Sequence, residues 1–163
     1  MYLVDILFSG VCHSDLHQVR DEWGGSIYPM VPGHEIVGKV IKVGSHVKKF
    51  NVGDRAGVGV MVDSCRQCKP CNNYMEQYCA EGMTGTYNNY ERDKITLAQG
   101  GYSTQIVCDE RWVYHVSDKL DLAGVAPLLM CRHHHLFSIK ICQCKTGRQG
   151  SSGRPWWPWD IWL

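Results

Sequence analysis

Hydrophobic and polar side chains alternate over several short stretches of the chain. An alternation with a period of two predicts β-strands, because successive side chains of a strand point to opposite faces of a sheet. Between these stretches lie Gly, Pro, Asn and Asp, which favour turns. We therefore predict strands at residues 3–8, 38–43, 56–62, 101–107 and 111–116.

Helical spacing of hydrophobic residues is restricted to short segments. We predict short helices near residues 14–20 and 72–78, and a third helix that begins within residues 121–129. Many short strands, glycine corners and few helices predict a mainly β fold.

The pattern changes from residue 132 onward. Three consecutive histidines, Cys142-Gln143-Cys144 and four tryptophans in the last eight residues follow neither the helical nor the strand period. We therefore divide the chain into a domain at residues 1–129 and a tail at residues 130–163.

Composition and charge narrow the range of functions. Lys and Arg number 17 and Asp and Glu number 16, which gives a net charge of +1. A near-neutral chain lacks the positive surface that binds nucleic acids or anionic membranes. No apolar run approaches the roughly 20 residues of a transmembrane helix, and the first residues do not form a secretory signal. We expect a cytoplasmic protein with no nucleic-acid or membrane partner.

Four of the nine cysteines fall within fifteen residues. Because cytosolic thiols stay reduced, this spacing favours a metal site over disulfides. Three thiolates at two-residue intervals can surround one zinc ion while a short segment returns the fourth. A site with four protein ligands and no open position is predicted to be structural. It lies in a lobe at residues 63–80, and its predicted ligands are Cys65, Cys68, Cys71 and Cys79.

Three other interpretations of this cluster stay open. Iron–sulfur proteins also use Cys-x2-Cys-x2-Cys, but bacterial ferredoxins then place Cys-Pro after three residues. Here seven residues separate Cys71 from Cys79, and Ala80 follows. A nucleic-acid zinc ribbon has two separated Cys-x2-Cys knuckles and a basic surface, and core cysteines without a ligand are the third possibility. The spacing favours structural zinc.

A second group of candidate ligands precedes the lobe. Cys12, His34 and Glu35 supply a thiolate, an imidazole and a carboxylate from two loops. An incomplete zinc shell has an open position for a substrate oxygen, where the metal acts as a Lewis acid. Ser14 and His17 are three residues apart on one helical face and could pass a proton onward. Taken singly, Cys12 is more often a small core residue and a histidine a structural one, so the joint pattern carries the prediction.

Three motifs together resemble a known family. The first is Gly33-His34-Glu35-x2-Gly38-x5-Gly44-x2-Val47; the others are residues 10–17 and the four-cysteine lobe. They resemble the zinc-dependent medium-chain alcohol dehydrogenases, in the branch of cinnamyl alcohol dehydrogenases and NADP-dependent aldehyde reductases. The resemblance covers residues 2–129.

The resemblance implies a GroES-like β-barrel catalytic domain beside a Rossmann domain. It implies a homodimer that interconverts primary cinnamyl, aryl or aliphatic alcohols and aldehydes, with NADP(H) as the hydride carrier. Cys12 and His34 would be ligands of the catalytic zinc, and Glu35 a nearby carboxylate that enters or leaves its shell. The four cysteines of the lobe would hold the structural zinc.

The same resemblance assigns roles to three further residues. Ser14 and His17 would form a proton relay through the cofactor ribose. Trp23 would line the substrate cleft.

The chain departs from the family pattern at two places. The family has a strand or two before residue 1, so the barrel is expected to begin incomplete. After Ala126-Pro127-Leu128-Leu129 the family continues with Cys-Ala-Gly-Ile-Thr, whose cysteine is the third zinc ligand. Here Met130 and Cys131 follow, and a small backbone shift could bring Cys131 into the shell.

A shift of the reading frame by one base explains the second departure. Met130 before a cysteine codon must become Cys in the shifted frame, and Trp156-Trp157-Pro158 must give Gly-Gly. The shifted frame can also contain Gly-Leu-Gly-Gly-Leu-Gly, which resembles a dinucleotide fingerprint. We predict that residues 130–163 are disordered or out of frame; the alternative is an unrelated natural C-terminus.

As translated, the chain has no Gly-x-Gly-x-x-Gly motif, so we expect the Rossmann domain to be absent from it. Hydride transfer requires the nicotinamide at near-attack distance from the substrate. The family therefore predicts an enzyme, whereas this chain alone is expected to be inactive. The alternatives are a zinc-binding fragment that lacks the cofactor domain, and a zinc module that binds a protein partner through its aromatic tail.

Overall fold

The computed structural model of the protein describes residues 1–130. The predictions for Cys131, for the remainder of the tail and for its reading frame lie outside the described residues. Within residues 1–130 the elements are short, and most are strands. In chain order they are β1 Tyr2–Ser9, α1 His13–Val19, β2 Ile36–Val43, β3 Arg55–Val58, β4 Met61–Asp63, α2 Lys69–Asn72, β5 Thr84–Gly85, β6 Asn89–Tyr90, β7 Leu97–Ala98, β8 Gln105–Cys108, β9 Val113–His115 and α3 Leu122–Val125.

Five of these strands form one antiparallel sheet in the order β8-β1-β2-β3-β9. Tyr2 is central to its register, since it pairs with Val43 of β2 on one side and with Cys108 of β8 on the other. Two further sheets have two strands each, β4-β5 and β6-β7. No helix within residues 1–130 is both long enough and apolar enough to cross a bilayer.

Alternate residues of these strands build the main hydrophobic core. In β1 and β2, Tyr2, Val4, Ile36 and Val40 are completely buried. The Tyr2 ring meets the Phe50 ring edge-on, with centroids 5.2 Å apart. This core holds β1 and β2 against each other.

A second, smaller core fastens the end of the described chain to the sheet. Val125, Ala126 and Leu129 pack against Val37 of β2 and Val116. Asp121 caps α3 by accepting a hydrogen bond from the amide of Gly124. This packing places the residue after Leu129 beside the start of β2.

The predicted mainly β fold and the first helix are confirmed, whereas several boundaries were wrong. The predicted strand 56–62 is two strands in different sheets, since β3 pairs with β2 and β4 pairs with β5. The predicted strand 101–107 begins only at Gln105. Its expected first residues instead bond to the loop at residues 31–33.

The predicted helix 72–78 is also wrong. The helical turn α2 ends at Asn72, and a separate 3-10 turn covers Glu76–Tyr78. Tyr74 between them has a φ of 58°, a left-handed conformation that interrupts a right-handed helix.

Candidate metal centres

The four cysteines of the lobe converge on one point. Their sulfur atoms all lie within 4.8 Å of one another, with 3.8 Å between the Cys65 and Cys71 sulfurs and 3.4 Å between those of Cys68 and Cys71. Two thiolates at tetrahedral positions about 2.3 Å from zinc lie roughly 3.8 Å apart. The cage formed by Cys65, Cys68, Cys71 and Cys79 therefore has the donors and nearly the size that zinc requires.

Backbone amides surround the sulfurs of this cage. The amides of Cys65 and Ala80 lie 3.3 and 3.4 Å from the sulfurs of Cys79 and Cys68. Such donors stabilise a thiolate over a thiol. The Ala80 amide is the main cause of the low pKa of Cys68, about 6. At Cys68 the lobe thus favours the deprotonated sulfur that binds metal.

Arg66 ties the lobe to the rest of the domain. Its guanidinium lies 2.9 Å from Asp63 and 3.1 Å from Asp109, which precedes β9. The pair with Asp63 lies within the lobe, whereas the pair with Asp109, which directly follows β8, joins the lobe to the five-stranded sheet.

The second candidate site is built where α1 and β2 begin. Cys12 is the residue immediately before α1, and His34 and Glu35 immediately precede β2. One ligand atom from each of the three lies within 4.8 Å of the other two. The sequence prediction that these side chains meet is therefore confirmed as geometry, while their roles stay predictions.

One carboxylate oxygen of Glu35 is buried in this pocket without a hydrogen-bond partner among the described residues. The residue is 5% exposed, and the oxygen is Oε2. Burial raises the pKa of its carboxyl. An unpartnered buried carboxylate oxygen is costly, and a cation at this point would remove that cost. The donor set and this oxygen fit a zinc ion.

Asp15 is the residue that holds this pocket together, and sequence reasoning missed it. Its Oδ1 accepts from the amide of Gly33 at 3.1 Å and lies 2.9 Å from Nδ1 of His34. Its Oδ2 accepts from the amide of Cys12 at 3.0 Å and from the hydroxyl of Tyr102 at 3.0 Å. One carboxylate therefore orients both candidate ligands. Its position three residues after Cys12, at the third residue of a helix, was the available signal.

Two tyrosines close the pocket around Asp15 and His34. The Tyr87 ring stacks on the His34 ring at 6.0 Å between centroids. Burial raises the pKa of both Tyr87 and Tyr102, and the neighbouring Asp15 raises them further. Both hydroxyls therefore stay protonated and can donate hydrogen bonds. No local pattern in the sequence marks either residue.

Met130 is the fourth unforeseen member of the pocket. Its Sδ lies 3.5 Å from Sγ of Cys12 and 3.0 Å from Nε2 of His34. The small core around Leu129 determines this position. In this structure a thioether lies where the family pattern led us to expect a cysteine.

The two residues of the predicted relay both lie on α1, beside the pocket. Ser14 is half-buried, and Nδ1 of His17 bonds to the carboxylate of Glu22. The Trp23 ring lies 5.1 Å from the His17 ring and is 59% exposed. Glu22, which the sequence analysis did not select, holds the Nδ1 edge of the His17 ring.

The arrangement resembles that of known enzymes. NADP-dependent alcohol dehydrogenase C 1 of Mycolicibacterium smegmatis is 56% identical over 126 residues, and aldehyde reductase YahK of Escherichia coli is 54% identical over 127. Each match covers 77% of this chain and 36% of the relative. The chain thus spans about a third of the length of these relatives.

Solved structures show the same likeness. The cinnamyl alcohol dehydrogenase (CAD) of Helicobacter pylori, solved as a complex with NADP(H), is 44% identical with a TM-score of 0.81, covering 87% of this chain and 41% of that one. A cinnamyl alcohol dehydrogenase of Sorghum bicolor is 40% identical, also at 0.81, over 91% and 42% of the two chains. The alcohol dehydrogenase GroES-like domain profile matches residues 1–118. With its sheet, its cage and its Cys12–His34 pocket, the chain belongs to the alcohol dehydrogenase GroES-like domain family.

Proposed function

We propose that the protein acts as a zinc-dependent alcohol dehydrogenase that interconverts primary alcohols and aldehydes with NADP(H). Residues 1–129 would be its catalytic domain, with small cinnamyl, aryl or aliphatic substrates. One observation carries the proposal: the ligand atoms of Cys12, His34 and Glu35 lie within 4.8 Å of one another, apart from a closed four-cysteine cage. The names of the relatives, alcohol dehydrogenases and aldehyde reductases, support the reaction class.

The two metal sites would have different tasks. The cage, with four sulfurs and no open position, holds the lobe in shape. Cys12, His34 and Glu35 would hold the second ion, which supplies Lewis-acid polarisation of an alcohol or carbonyl oxygen. Asp15 keeps the His34 ring oriented, because it bonds to Nδ1 and so leaves Nε2 as the atom directed at the metal position.

Ser14 and His17 would conduct the proton. The hydroxyl of Ser14 can accept a proton from the alcohol while it passes its own onward, since an alcohol side chain is both donor and acceptor. His17 can receive it at the ring edge, and Glu22 stabilises the resulting imidazolium through its contact with Nδ1. The Glu22 carboxylate has a lowered pKa, chiefly because of this hydrogen bond with His17.

Trp23 offers an aromatic surface near this relay. Its exposed ring lies against His17, where it could contact the ring of an aryl or cinnamyl substrate by stacking. We further propose that the protein is a cytoplasmic homodimer, as the family resemblance implies.

The test is turnover by the zinc-loaded protein joined to the nucleotide-binding domain of an alcohol dehydrogenase relative, because this chain alone is expected to be inactive. NADPH consumption is followed with cinnamaldehyde and with benzaldehyde. In the variant Ser14→Ala, loss of the proton path should lower the rate about 10²–10⁴-fold, whereas Ser45→Ala, at an exposed turn, should leave it unchanged. Zinc binding without turnover in the parent protein would instead support the alternative, an inactive zinc-binding chain.

A further inference from the structure

Met130 places a third potential metal ligand, a soft thioether, in the pocket of Cys12 and His34. Its Sδ is 3.5 Å from Sγ of Cys12 and 3.0 Å from Nε2 of His34. Two donors at tetrahedral positions around one ion lie about 3.5–3.8 Å apart. The distance from Met130 Sδ to Cys12 Sγ has that length. The distance to Nε2 of His34 reaches it if the flexible methionine side chain moves by roughly 0.5 Å.

The hydrogen bonds of His34 explain which of its ring nitrogens faces Met130. Asp15 already accepts from the amides of Gly33 and Cys12 and from the hydroxyl of Tyr102. It therefore acts as an acceptor toward Nδ1 of His34, which must carry the hydrogen. Nε2 is therefore the ring nitrogen left to face the Met130 sulfur, and both atoms can be ligands of one cation.

The chemistry of the three donors indicates which cation. Thiolate and thioether are soft ligands that select Cu(I), and imidazole accepts copper as well as zinc. Zinc is instead bound in proteins by cysteine, histidine and carboxylate, and methionine is not among its usual ligands. Glu35 and Met130 therefore offer Cys12 and His34 two different third partners, one hard and one soft.

We propose that Cys12, His34 and Met130 form a Cu(I) site that overlaps the proposed zinc site and shares two of its ligands. Binding exchanges the proton of the Cys12 thiol for the ion, and no electron is transferred. The Cu(I) ion is held by the thiolate, by Nε2 of His34 and by the thioether, while zinc uses Glu35 in place of Met130. The inference rests on the pocket of the proposed function but concerns a different metal and a different third ligand.

The experiment observes Met130 directly. The chain is labelled with [methyl-13C]methionine, loaded with zinc, and titrated without oxygen with a Cu(I)–acetonitrile complex. The Met130 methyl signal, assigned by its loss in Met130→Leu, should shift on Cu(I) addition and stay in place when only zinc is added. Met1, which is 65% exposed and lies outside the lobe, serves as an internal control whose signal should not move.

Cysteines and histidines of the tail could also bind Cu(I), so they are replaced before affinities are measured. A background variant replaces them by Ser or Asn at Cys131, His133, His134, His135, Cys142 and Cys144. In this background, competition with a chromophoric Cu(I) chelator should show that Met130→Leu weakens the site at least about tenfold, since even outer partners of a metal contribute about 10–100-fold. Glu35→Gln should keep the Cu(I) affinity and lose zinc affinity.

Two results would overturn the inference: a Met130 methyl signal that Cu(I) does not move, or a shift that persists in Cys12→Ser. Zinc stoichiometry separates this failure from failure of the proposed function. Two zinc ions per chain with an unresponsive Met130 would refute the copper site and leave the zinc pocket intact. One zinc ion per chain together with a responsive Met130 would refute the zinc pocket and support the copper site.

Discussion

Asp15 and His34 form a buried pair, with Oδ1 of the carboxylate 2.9 Å from Nδ1 of the imidazole and both side chains 2% exposed. Burial alone would raise the pKa of Asp15, but the hydrogen bonds from His34 and from the Cys12 amide outweigh it and lower the pKa to about 2. The carboxylate therefore stays ionised at all ordinary pH values. Its stabilising effect is present above pH 3.8, the unfolded value, and is lost as the pH falls toward 2.

We predict that Asp15→Asn weakens zinc or cobalt binding at Cys12 and His34 by about 10–100-fold, the usual effect of removing a partner of a metal-bound histidine. The amide can donate as well as accept, so it no longer fixes the hydrogen on Nδ1. A cobalt titration followed by visible absorption measures the affinity. Asp93→Asn, in an exposed turn, is the control. Equal affinities in the two variants would show that Asp15 does not orient His34.

The hydroxyl of Tyr2 should contribute measurably to stability. It accepts hydrogen bonds from the amides of Lys49 and Phe50, at 2.8 and 3.1 Å, while the residue is completely buried. Tyr2→Phe leaves these amides without a partner and should lower the free energy of unfolding by about 1–3 kcal/mol. Urea denaturation measures it. Tyr74→Phe, at a residue 88% exposed, should cause no change. An unchanged midpoint for Tyr2→Phe would contradict the prediction.

Metal removal should unfold the lobe before the sheet. The four cage sulfurs converge on one point, where a metal ion would hold them together. Without the ion, α2 and the neighbouring 3-10 turn are too short to persist alone. We expect a strong chelator, or Cys68→Ser, to raise amide hydrogen exchange across residues 63–86 while β1 and β2 stay protected. Cys108→Ala, which removes a thiol outside the cage, should keep the lobe protected. Uniform exchange across both regions would argue against a separately stabilised lobe.

Cys108 should be an inert thiol whose effect on stability depends on pH. Burial is the main cause that raises its pKa to about 12, from 9.0. The folded protein thus retains a proton that the unfolded chain releases, so stability falls as the pH rises above about 9. In Cys108→Ala this decline should be smaller, as urea titrations at several pH values would show. Rapid alkylation of Cys108 in the native protein would contradict its burial.

Local patterns in the sequence were sufficient to select the candidate ligands that the structure brings together. Cysteines at two-residue spacing can surround one ion only if the chain turns tightly, and the turns of the lobe bring the four sulfurs within 4.8 Å of one another. Cys12 and His34 could be assigned to one pocket because, with Glu35, they supply a thiolate, an imidazole and a carboxylate, a set of donors that fits zinc. They lie at the start of a helix and the start of a strand, and the sequence predicts the helix from its helical spacing and the strand from its alternation.

The parts that sequence reasoning missed depend on contacts between distant segments. Tyr87 and Tyr102 reach the pocket from loops without any period, and Met130 reaches it because Leu129 packs on Val37. The predicted strand at 101–107 failed for the same reason, since Gly100 and Gly101 bond to the loop before His34 rather than to a strand. Tertiary contacts of this kind override local preference.

The separation of Cys12 and Met130 along the chain, 118 positions, has a consequence for folding. The cage closes a loop of fifteen residues and can assemble early, whereas the other pocket needs both ends of the domain in contact, which costs more chain entropy. We expect the metal sites to fill in this order during refolding. The lobe, which is local in sequence, binds its ion first, and metal binding at His34 follows once the two ends of the domain are in contact.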